Sequence, residues 1–429
     1  MKSSALLLLA LACIARAAPA PQRPLMKDFL GLNGHTVQFK PEFYRPVCGV
    51  VRDYHPVEWD LGKETGKLPD LPMAKNRVPW DKVYGSWKDK GWTIDACLMF
   101  ESVPRPQWQN LPADAKAYGR AIAKQFGPSS ATPLLESVEI GNEPGKWSDE
   151  DYTTIFRAMA EGVREGDAKL KIATCNLTVG KSGDYEKSVS CIEKSLPLVD
   201  VLNIHSYAQL EGWPTWKRSY PEDPALKKYL PDIEALCKWR DEKCPGKPVW
   251  LTEFGYDSST KPAPASGTFS KWEGVSDLRQ AQWLTRSVLV LSAMPLDRAY
   301  VYFFDDKDEP QVHGSSGLTR NLQPKPSFHA LAHLQKTLGD YRFSRVIKND
   351  PGQVRLQEYI HATDPKKLVW VVWSPTGSDR TFQQAIPNLP GKLIAAERMP
   401  LDGNPVTLPV KTPFTAEINE SPLYLTIQK

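Results

Sequence analysis

The stretch VEIGNEP, at residues 138–144, joins a short apolar run to a polar cluster that follows it directly. A buried strand of a parallel sheet has this pattern, because such strands are covered on both faces and carry functional groups at their carboxyl ends. The stretch VWLTEF, at residues 249–254, has the same pattern and places Glu253 near its end. Together the two stretches predict a parallel sheet whose strand ends carry carboxylates.

Eight stretches of this kind lie between residues 29 and 304, and amphipathic stretches with apolar residues at helical spacing separate them. The predicted strands are 29–33, 50–54, 92–100, 137–140, 171–174, 199–204, 248–252 and 298–304. The predicted helices are 41–47, 74–90, 112–126, 152–163, 184–195, 224–243, 278–291 and 326–338.

This alternation predicts an α/β fold, a (β/α)8 TIM barrel over residues 24–338. A doubly wound open sheet is the alternative, but it would need a Gly-rich phosphate turn after an early strand, and the sequence has none. Beyond residue 338 the helical stretches give way to short strand-like runs with Pro and Gly turns, at 354–360, 367–373, 381–385, 393–396 and 421–427. These runs predict a small C-terminal antiparallel β-sandwich at residues 342–429.

Residues 1–20 have the composition of a secretory signal peptide. Lys2 precedes an apolar run at residues 5–14, and small residues follow at 15–17 with one arginine among them. The run is too short to anchor the chain in a bilayer, and no later stretch approaches the length of a membrane span. We therefore expect a secreted or periplasmic protein.

The cysteine content permits disulfides, since six cysteines remain after the leader and an exported chain meets an oxidising environment. The local candidate pairs are Cys237 with Cys244 and Cys175 with Cys191. The alternative is that these cysteines are buried free thiols. No Cys-x-x-Cys pair occurs, which disfavours a zinc site.

The overall composition excludes several classes of protein. The chain has 429 residues, of which 41% are hydrophobic and 24% charged, with a net charge of +4. This hydrophobic content excludes wholesale disorder. The positive and negative charges are nearly balanced, which gives no electrostatic basis for binding nucleic acid or anionic lipid. The sequence also lacks a phosphate-binding loop and a nucleophile elbow, and we expect no cofactor.

Two glutamates at predicted strand ends are the candidate catalytic residues. Glu143 follows the fourth predicted strand and Glu253 the seventh, and these strands face each other across a barrel mouth. Two carboxyl groups about 5–5.5 Å apart are what retaining glycoside hydrolysis requires, one as acid and base and the other as nucleophile. The sequence therefore predicts a hydrolase of O-glycosidic bonds in an oligo- or polysaccharide.

The stretches IGNEP (140–144) and LTEFG (251–255) resemble the strand-four and strand-seven motifs of clan A glycoside hydrolases. The resemblance implies a retaining mechanism, with Glu143 as acid and base and Glu253 as nucleophile. It implies that Asn142 binds the 2-hydroxyl of the sugar and that Arg52 steadies the negative charge of the nucleophile.

The stretch HSY (205–207) is similar to the clan's His-x-Tyr on strand six, which places His205 in the substrate site and bonds Tyr207 to the nucleophile. Gly141 stands where family 39 members usually have tryptophan, and GNEP is closer to family 79. The chain thus resembles a family 39-like or family 79-like retaining glycosidase.

Aromatic residues near strand ends are candidate platforms for a sugar, whose C–H face stacks on an indole ring. Trp147, in the loop after the fourth predicted strand, is the best of them. For the four other loop tryptophans, packing within the loop and sugar contact are equally supported; these are Trp108, Trp213, Trp216 and Trp272.

Two other functions compete with this interpretation. A metal-dependent barrel hydrolase would use His35, His55 and His205 at strand ends, but the sequence shows no carboxylate partners for them at metal spacing, so we expect no metal. A non-catalytic carbohydrate-binding barrel would lack Glu143 or Glu253, and both are present. The sequence leaves open the sugar, the linkage, exo or endo action and the oligomeric state.

Overall fold

The computed structural model of the protein describes residues 22–411 and 413–429. The predicted signal peptide at residues 1–20 lies outside the described residues. Within the described part of the chain, no helix is long and apolar enough to cross a membrane.

Eight parallel strands form a closed barrel. They are β1 Leu30–Gly34, β2 Val50–Pro56, β3 Thr93–Met99, β4 Ser137–Ile140, β5 Lys171–Thr178, β6 Val201–His205, β7 Val249–Phe254 and β8 Arg298–Val301. Each strand pairs with the next in sequence, and β8 pairs with β1 to close the barrel. Every predicted strand is present, and the predicted (β/α)8 barrel is confirmed.

Seven of the helices in the described chain lie between these strands, one precedes the first strand and one follows the last. They are α1 Met26–Phe29, α2 Pro41–Tyr44, α3 Val57–Leu61, α4 Trp80–Lys88, α5 Leu111–Phe126, α6 Asp149–Gly166, α7 Tyr229–Lys243, α8 Asp277–Ser292 and α9 Pro326–Leu338. After β8, three two-residue strands form a small sheet; they are Asp305–Asp306, Thr319–Arg320 and Gln323–Pro324.

Residues 184–195 do not form the helix that the sequence predicted. The segment contains the short strand Lys187–Ser188, the 3-10 turn Val189–Cys191 and the start of the 3-10 turn Glu193–Leu198. The Ser188 side chain accepts a hydrogen bond from the Ser190 backbone, which favours a local turn over an α-helix. Pro197 has no N–H to donate, and it prevents a longer helix further along.

The inside of the barrel has two layers of different character. One layer, near the amino ends of the strands, is apolar and consists of Val50, Ala173, Val201, Trp250 and Tyr300. Arg52 and Asn203 come two residues after members of this layer, so the period of a strand turns them to the same interior. This second layer is polar and buried, and it lies next to the mouth at the carboxyl ends.

The C-terminal part is an antiparallel β-sandwich, as predicted. Its strands are β9 Tyr341–Asp350, β10 Val354–His361, β11 Lys367–Trp373, β12 Phe382–Ala385, β13 Lys392–Arg398, β14 Val406–Thr407, β15 Thr415–Ile418 and β16 Leu423–Gln428. One sheet has the order β9-β10-β11-β16-β13-β14, and the other pairs β12 with β15.

Strand β11 is apolar on both faces because it lies between two cores. Val369, Val371 and Trp373 belong to the large core that also contains the barrel. Trp370 and Val372 face the core between the two sheets of the sandwich. The sandwich is therefore attached to the barrel by one face of its larger sheet.

The sequence missed β9 because charged residues interrupt its apolar pattern. Along Tyr341–Asp350 no residue is buried, and Arg345 and Lys348 flank the apolar pair Val346 and Ile347. Charged residues are common on edge strands, where they oppose pairing with another chain. β9 is such an edge strand, since among the described strands it pairs with β10 alone, and its one other backbone contact of this kind is an isolated bridge between Arg342 and Leu25.

The predicted disulfides are wrong: all six cysteines of the described chain are free and buried. Cys237 lies within α7 and Cys244 is the residue that ends it. Seven residues of helix separate their Cα atoms by about 10 Å, beyond the reach of a disulfide at about 7 Å. Cys175 lies in β5, and its Sγ contacts the Asn176 carbonyl at 3.3 Å and forms no disulfide with Cys191.

Candidate active site

Glu143 and Glu253 meet at the mouth of the barrel. Glu253 is near the end of β7, and Glu143 is in the loop after β4. One carboxylate oxygen of each glutamate and one ring nitrogen of His205 all lie within 4.8 Å of one another. The Glu253 side chain is buried, with 7% of its surface exposed, whereas that of Glu143 is 29% exposed to the cleft.

A register shift in the barrel directs Glu253 to the mouth. Ile204 of β6 is opposite Leu251 of β7, but the next residue, His205, is opposite Glu253. One residue of β7 is therefore unmatched, and an irregularity of this kind re-aims the side chains beside it. His205 and Glu253 become neighbours as a result.

Glu253 accepts hydrogen bonds on both carboxylate oxygens. Tyr54 donates its hydroxyl to Oε1 at 2.6 Å, and Arg52 donates Nη1 to the same oxygen at 3.2 Å. Tyr207 donates its hydroxyl to Oε2 at 2.8 Å, which is the contact that the resemblance implied. Burial by itself would raise the pKa of Glu253, but His205, Arg52 and the two hydroxyls outweigh it and lower the pKa to about 2.

Arg52 connects the nucleophile candidate to the polar layer inside the barrel. Its Nε and Nη2 form a bidentate pair with Glu139 at 2.9 and 2.7 Å. It also donates to Asn33 Oδ1 at 2.9 Å and to Asn142 Oδ1 at 2.7 Å. The guanidinium is fully buried, and these partners offset the free-energy cost of burying its charge.

The turn that carries Asn142 and Glu143 depends on Gly141. Gly141 has a φ of +85°, and a Cβ at this position would lie 2.5 Å from a ring carbon of Phe100. A larger residue cannot occupy this conformation, which accounts for glycine here instead of tryptophan. Asn142 directs its Oδ1 to Arg52, and its Nδ2 has no partner among the described residues, so it is free to bind a ligand.

Glu101, just after β3, holds the same turn by its side chain. Its Oε1 accepts the backbone N–H of Asn142 at 2.7 Å and that of Glu143 at 3.2 Å. Its Oε2 is buried without a partner in the described structure. Burial raises the pKa of Glu101 to about 7, although the two N–H groups act in the opposite direction.

His205 lies between the two glutamates. Its Nδ1 is 3.0 Å from Glu143 Oε1 and 3.6 Å from Glu253 Oε2. Burial alone would lower the pKa of His205, but the charges of Glu253 and Glu143 outweigh it, and the pKa lies above its usual value. His205 Nδ1 therefore contacts the carboxyl group of Glu143 and also faces that of Glu253.

Trp147 does not offer the open sugar platform that its loop position predicted. The residue is only 9% exposed, and its ring packs edge-on against Phe100 with the centroids 4.9 Å apart. Burial against this core removes its faces from the cleft. Trp108 and Trp272 are buried as well, whereas Trp213 is exposed and Trp216 is half-buried.

Four residues of this site were not among the predicted site residues: Tyr54, Glu101, Glu139 and Tyr302. Glu139 carried a usable signal, because a charge inside an apolar strand requires a buried partner. Tyr54 and Glu101 also follow apolar runs. The prediction placed Tyr302 inside the eighth strand, at 298–304, but in the structure that strand ends at Val301.

Glu143, His205 and Glu253 could supply three ligands to a metal ion. The sequence showed no carboxylate partners for His205, but closure of the barrel brings two beside it. The donor set opposes a cation, however, since Arg52 is 3.2 Å from Glu253 and two hydroxyl groups occupy the same carboxylate. The arrangement suits an ionised carboxylate that attacks carbon better than a metal ligand.

The chain matches no protein-family model and no curated protein sequence. It does match solved structures. A family 39 glycoside hydrolase from Bacteroides cellulosilyticus WH2 is 18% identical at a TM-score of 0.70, covering 95% of this chain and 81% of that one. A glucosidase from Croceicoccus marinus is 12% identical at a TM-score of 0.66, covering 95% and 97%.

A family 51 arabinofuranosidase from Xanthomonas axonopodis pv. citri is 12% identical at a TM-score of 0.61, covering 96% of this chain and 98% of that one. The family 39 and family 51 members among these neighbours are clan A glycoside hydrolases, in agreement with the resemblance in the sequence. At these identities the likeness establishes a shared fold.

Proposed function

We propose that this protein is a retaining glycoside hydrolase that cleaves O-glycosidic bonds of an oligo- or polysaccharide by double displacement. The observation that carries the proposal is the approach of the Glu143 and Glu253 carboxylates to within 4.8 Å at the barrel mouth. Retaining enzymes have the two carboxyl groups about 5–5.5 Å apart, whereas inverting enzymes need about 6.5–9.5 Å to admit a water. The shared fold with clan A glycoside hydrolases supports the same conclusion.

Glu253 acts as the nucleophile. Its pKa of about 2 keeps it ionised, and its side chain is held by Tyr54, Tyr207 and Arg52. A Glu253 oxygen forms a bond to the anomeric carbon while the bond from that carbon to the leaving oxygen breaks. The product of this step is a glycosyl ester of Glu253.

Glu143 acts as the acid and then as the base. It donates its proton to the leaving oxygen in the first step, and in the second it takes a proton from the water that attacks the anomeric carbon. The ester bond to Glu253 then breaks, and the sugar leaves with its original anomeric configuration. The exposure of Glu143 to the cleft, with His205 bonded to it, suits a group that exchanges protons.

Asn142 and Arg52 support these steps from the neighbouring strands. The free Nδ2 of Asn142 donates to the sugar 2-hydroxyl, while its Oδ1 stays fixed on Arg52. Arg52 stabilises the carboxylate of Glu253 before attack and after release. Both residues are fixed before substrate arrives, so little reorganisation is required at the moment of reaction.

The test is a screen of aryl glycosides of different sugars, with the first-formed product anomer determined by NMR. Turnover with retention supports the proposal. Turnover with inversion contradicts the mechanism, and no turnover together with sugar binding favours a non-catalytic carbohydrate-binding barrel. The Glu253→Gln variant is the matched control, because it keeps the shape of the side chain but cannot attack.

We also propose that the protein is exported. The support is the leader composition of residues 1–20, where Lys2 precedes the apolar run. Expression of the full chain, followed by N-terminal sequencing of the protein recovered outside the cytoplasm, tests it. A product that stays in the cytoplasm and retains residues 1–20 would contradict the proposal of export.

A further inference from the structure

We propose that Trp213, Trp216 and Phe269 form a stacking surface, the outer aromatic surface, for a sugar unit beyond the one that Glu253 attacks. The inference rests on the proposed function, and it assigns the substrate to chains of several sugar units. Trp213 and Trp216 lie in the loop after β6, and Phe269 lies in the loop after β7.

Trp213 has an unusual degree of exposure. It is 74% exposed, and it is the one exposed residue among the 14 tryptophans, all of which lie in the described part of the chain. An indole left in water loses the stabilisation that burial gives to so large an apolar surface. Tryptophan is enriched at binding interfaces, so this exposed indole is a candidate contact for a ligand.

Trp216 follows Trp213 by three residues in the same loop, and its backbone is strained. Its φ is +47°, a left-handed conformation that non-glycine residues with bulky side chains rarely adopt. Its ring contacts Phe269, with the centroids 4.9 Å apart and the planes inclined by 44°. Backbone strain of this kind persists where the surrounding structure holds a residue in a functional orientation.

The loop that carries the tryptophans is fixed to the catalytic strand end through Arg218. Arg218 donates Nη1 to the carbonyl of Gly255 at 2.6 Å, two residues beyond Glu253. Its guanidinium also lies 4.4 Å above the ring of Tyr207, the residue that bonds Glu253. The outer aromatic surface therefore has a defined position beside the active-site cleft.

The two aromatic loops are also joined to each other. The backbone N–H of Glu273 donates to the carbonyl of Thr215 at 2.9 Å, and Lys217 pairs with the Glu273 side chain at 3.1 Å. Trp216 is only two residues from Arg218, a span of at most about 7 Å of backbone. A substrate chain of a few sugar units that starts at Glu253 can therefore reach the surface.

A sugar is the occupant that this chemistry favours. The aromatic faces suit the C–H face of a pyranose, and the charged and hydroxyl groups beside them suit its hydroxyls; these groups belong to Glu211, Thr215, Lys217 and Glu273. The contacts of Arg218 with Gly255 and Tyr207 hold the loop next to the residues around Glu253, so an extended substrate bound at Glu253 would lie across both.

The experiment compares wild type with Trp213→Ala, Trp216→Ala and the aromatic control Trp213→Phe. Because Trp213 is exposed, its replacement leaves the core untouched, and Val406→Ala in the sandwich is a control for loss of an exposed apolar residue. Binding of gluco-, xylo- and arabino-hexasaccharides is measured by calorimetry, and kcat/KM is measured on the hexasaccharides and on aryl glycosides.

We expect the alanine variants to weaken hexasaccharide binding by about three- to tenfold each, the value of one aromatic stacking contact. The ratio of kcat/KM for hexasaccharide to that for aryl glycoside should fall by the same factor, and Trp213→Phe should retain most of it. Equal binding of every hexasaccharide by wild type and both alanine variants overturns the inference. Absence of turnover on all aryl glycosides overturns the proposed function instead, while the binding comparison still decides the surface.

Discussion

Arg52 Nη1 lies 3.2 Å from Glu253 Oε1, and this ion pair is buried inside the barrel mouth. The same guanidinium forms a closer, bidentate pair with Glu139, at 2.7 and 2.9 Å. Arg52 is thus shared between two carboxylates, one structural and one reactive. Removal of Arg52 leaves the buried Glu139 carboxylate without its partner, which costs more free energy than the pair itself contributes.

We predict that Arg52→Met lowers the free energy of unfolding by about 3–5 kcal/mol, because Glu139 loses its buried partner. Arg52→Lys keeps the charge but cannot bond Glu139, Asn33 and Asn142 together. It should therefore fold more stably than Arg52→Met yet lose at least about tenfold in kcat/KM. Urea unfolding and steady-state kinetics measure the two effects; unchanged stability in Arg52→Met would remove the shared ion pair from the account.

The hydroxyl groups of Tyr54 and Tyr207, which bond Glu253, predict how activity depends on pH. They bond the ionised carboxylate, so their loss raises the pKa of Glu253 from about 2. Loss of one hydrogen bond to the ionised carboxylate should raise its pKa by roughly 1 pH unit or more. The double variant Tyr54→Phe/Tyr207→Phe loses two such bonds, so it should lose activity below about pH 4. Tyr185→Phe, at an exposed position, is the matched control. Identical acid limbs in the double variant and the wild type would contradict this role of the tyrosines.

Glu101 predicts a stability change near neutral pH. Its folded-state pKa of about 7 lies above the unfolded value of about 4.3, so the folded state binds the proton more tightly between these values. The contribution of Glu101 to stability is therefore full below about pH 4 and is lost as the pH rises to about 7. Glutamine has no proton to lose at this position. The free energy of unfolding should therefore fall less in Glu101→Gln than in the wild type between about pH 4 and pH 7. An equal slope in both proteins would refute the prediction.

Azide distinguishes the two glutamates by the stereochemistry of the product. In Glu143→Ala, a dinitrophenyl glycoside needs no acid to leave, so the glycosyl–enzyme should form and then hydrolyse slowly. Azide attacks that intermediate without a base, and the glycosyl azide should have the configuration of the substrate. In Glu253→Ala, azide attacks the substrate directly and should give the opposite configuration. The product anomers are read by NMR, and the reverse assignment of anomers would exchange the two roles.

The sequence predicted the barrel well because each strand is apolar on both faces and is followed by a polar group. It predicted Glu143 and Glu253 for the same reason, since both follow such strands directly. Of the partners of Glu253, Arg52 and Tyr207 were implied by the resemblance, whereas Tyr54 was not predicted. Tyr54 and Arg52 lie on β2, five strands before β7 along the chain, and closure of the sheet brings β2 within three strands of β7.

The wrong predictions share a different cause. The disulfide between Cys237 and Cys244 was inferred from short spacing, but the helix that contains Cys237 extends up to Cys244 and separates them. Trp147 was inferred from its position in a loop, but the loop folds onto Phe100 and buries the ring. Spacing along the chain does not fix the distance in space or the face that a side chain presents.

The central claim, that Glu253 forms a covalent bond with the sugar, has a direct measurement. A 2-deoxy-2-fluoro glycoside of the accepted sugar, with a good leaving group, should react once and accumulate as the glycosyl–enzyme. The fluorine slows both formation and hydrolysis of the ester, and the good leaving group restores the rate of formation alone. Peptide mass spectrometry after digestion at low pH then locates the added mass. The account predicts one fluoroglycosyl group on Glu253; its attachment to another residue, or turnover of the parent glycoside with no adduct at all, would contradict it.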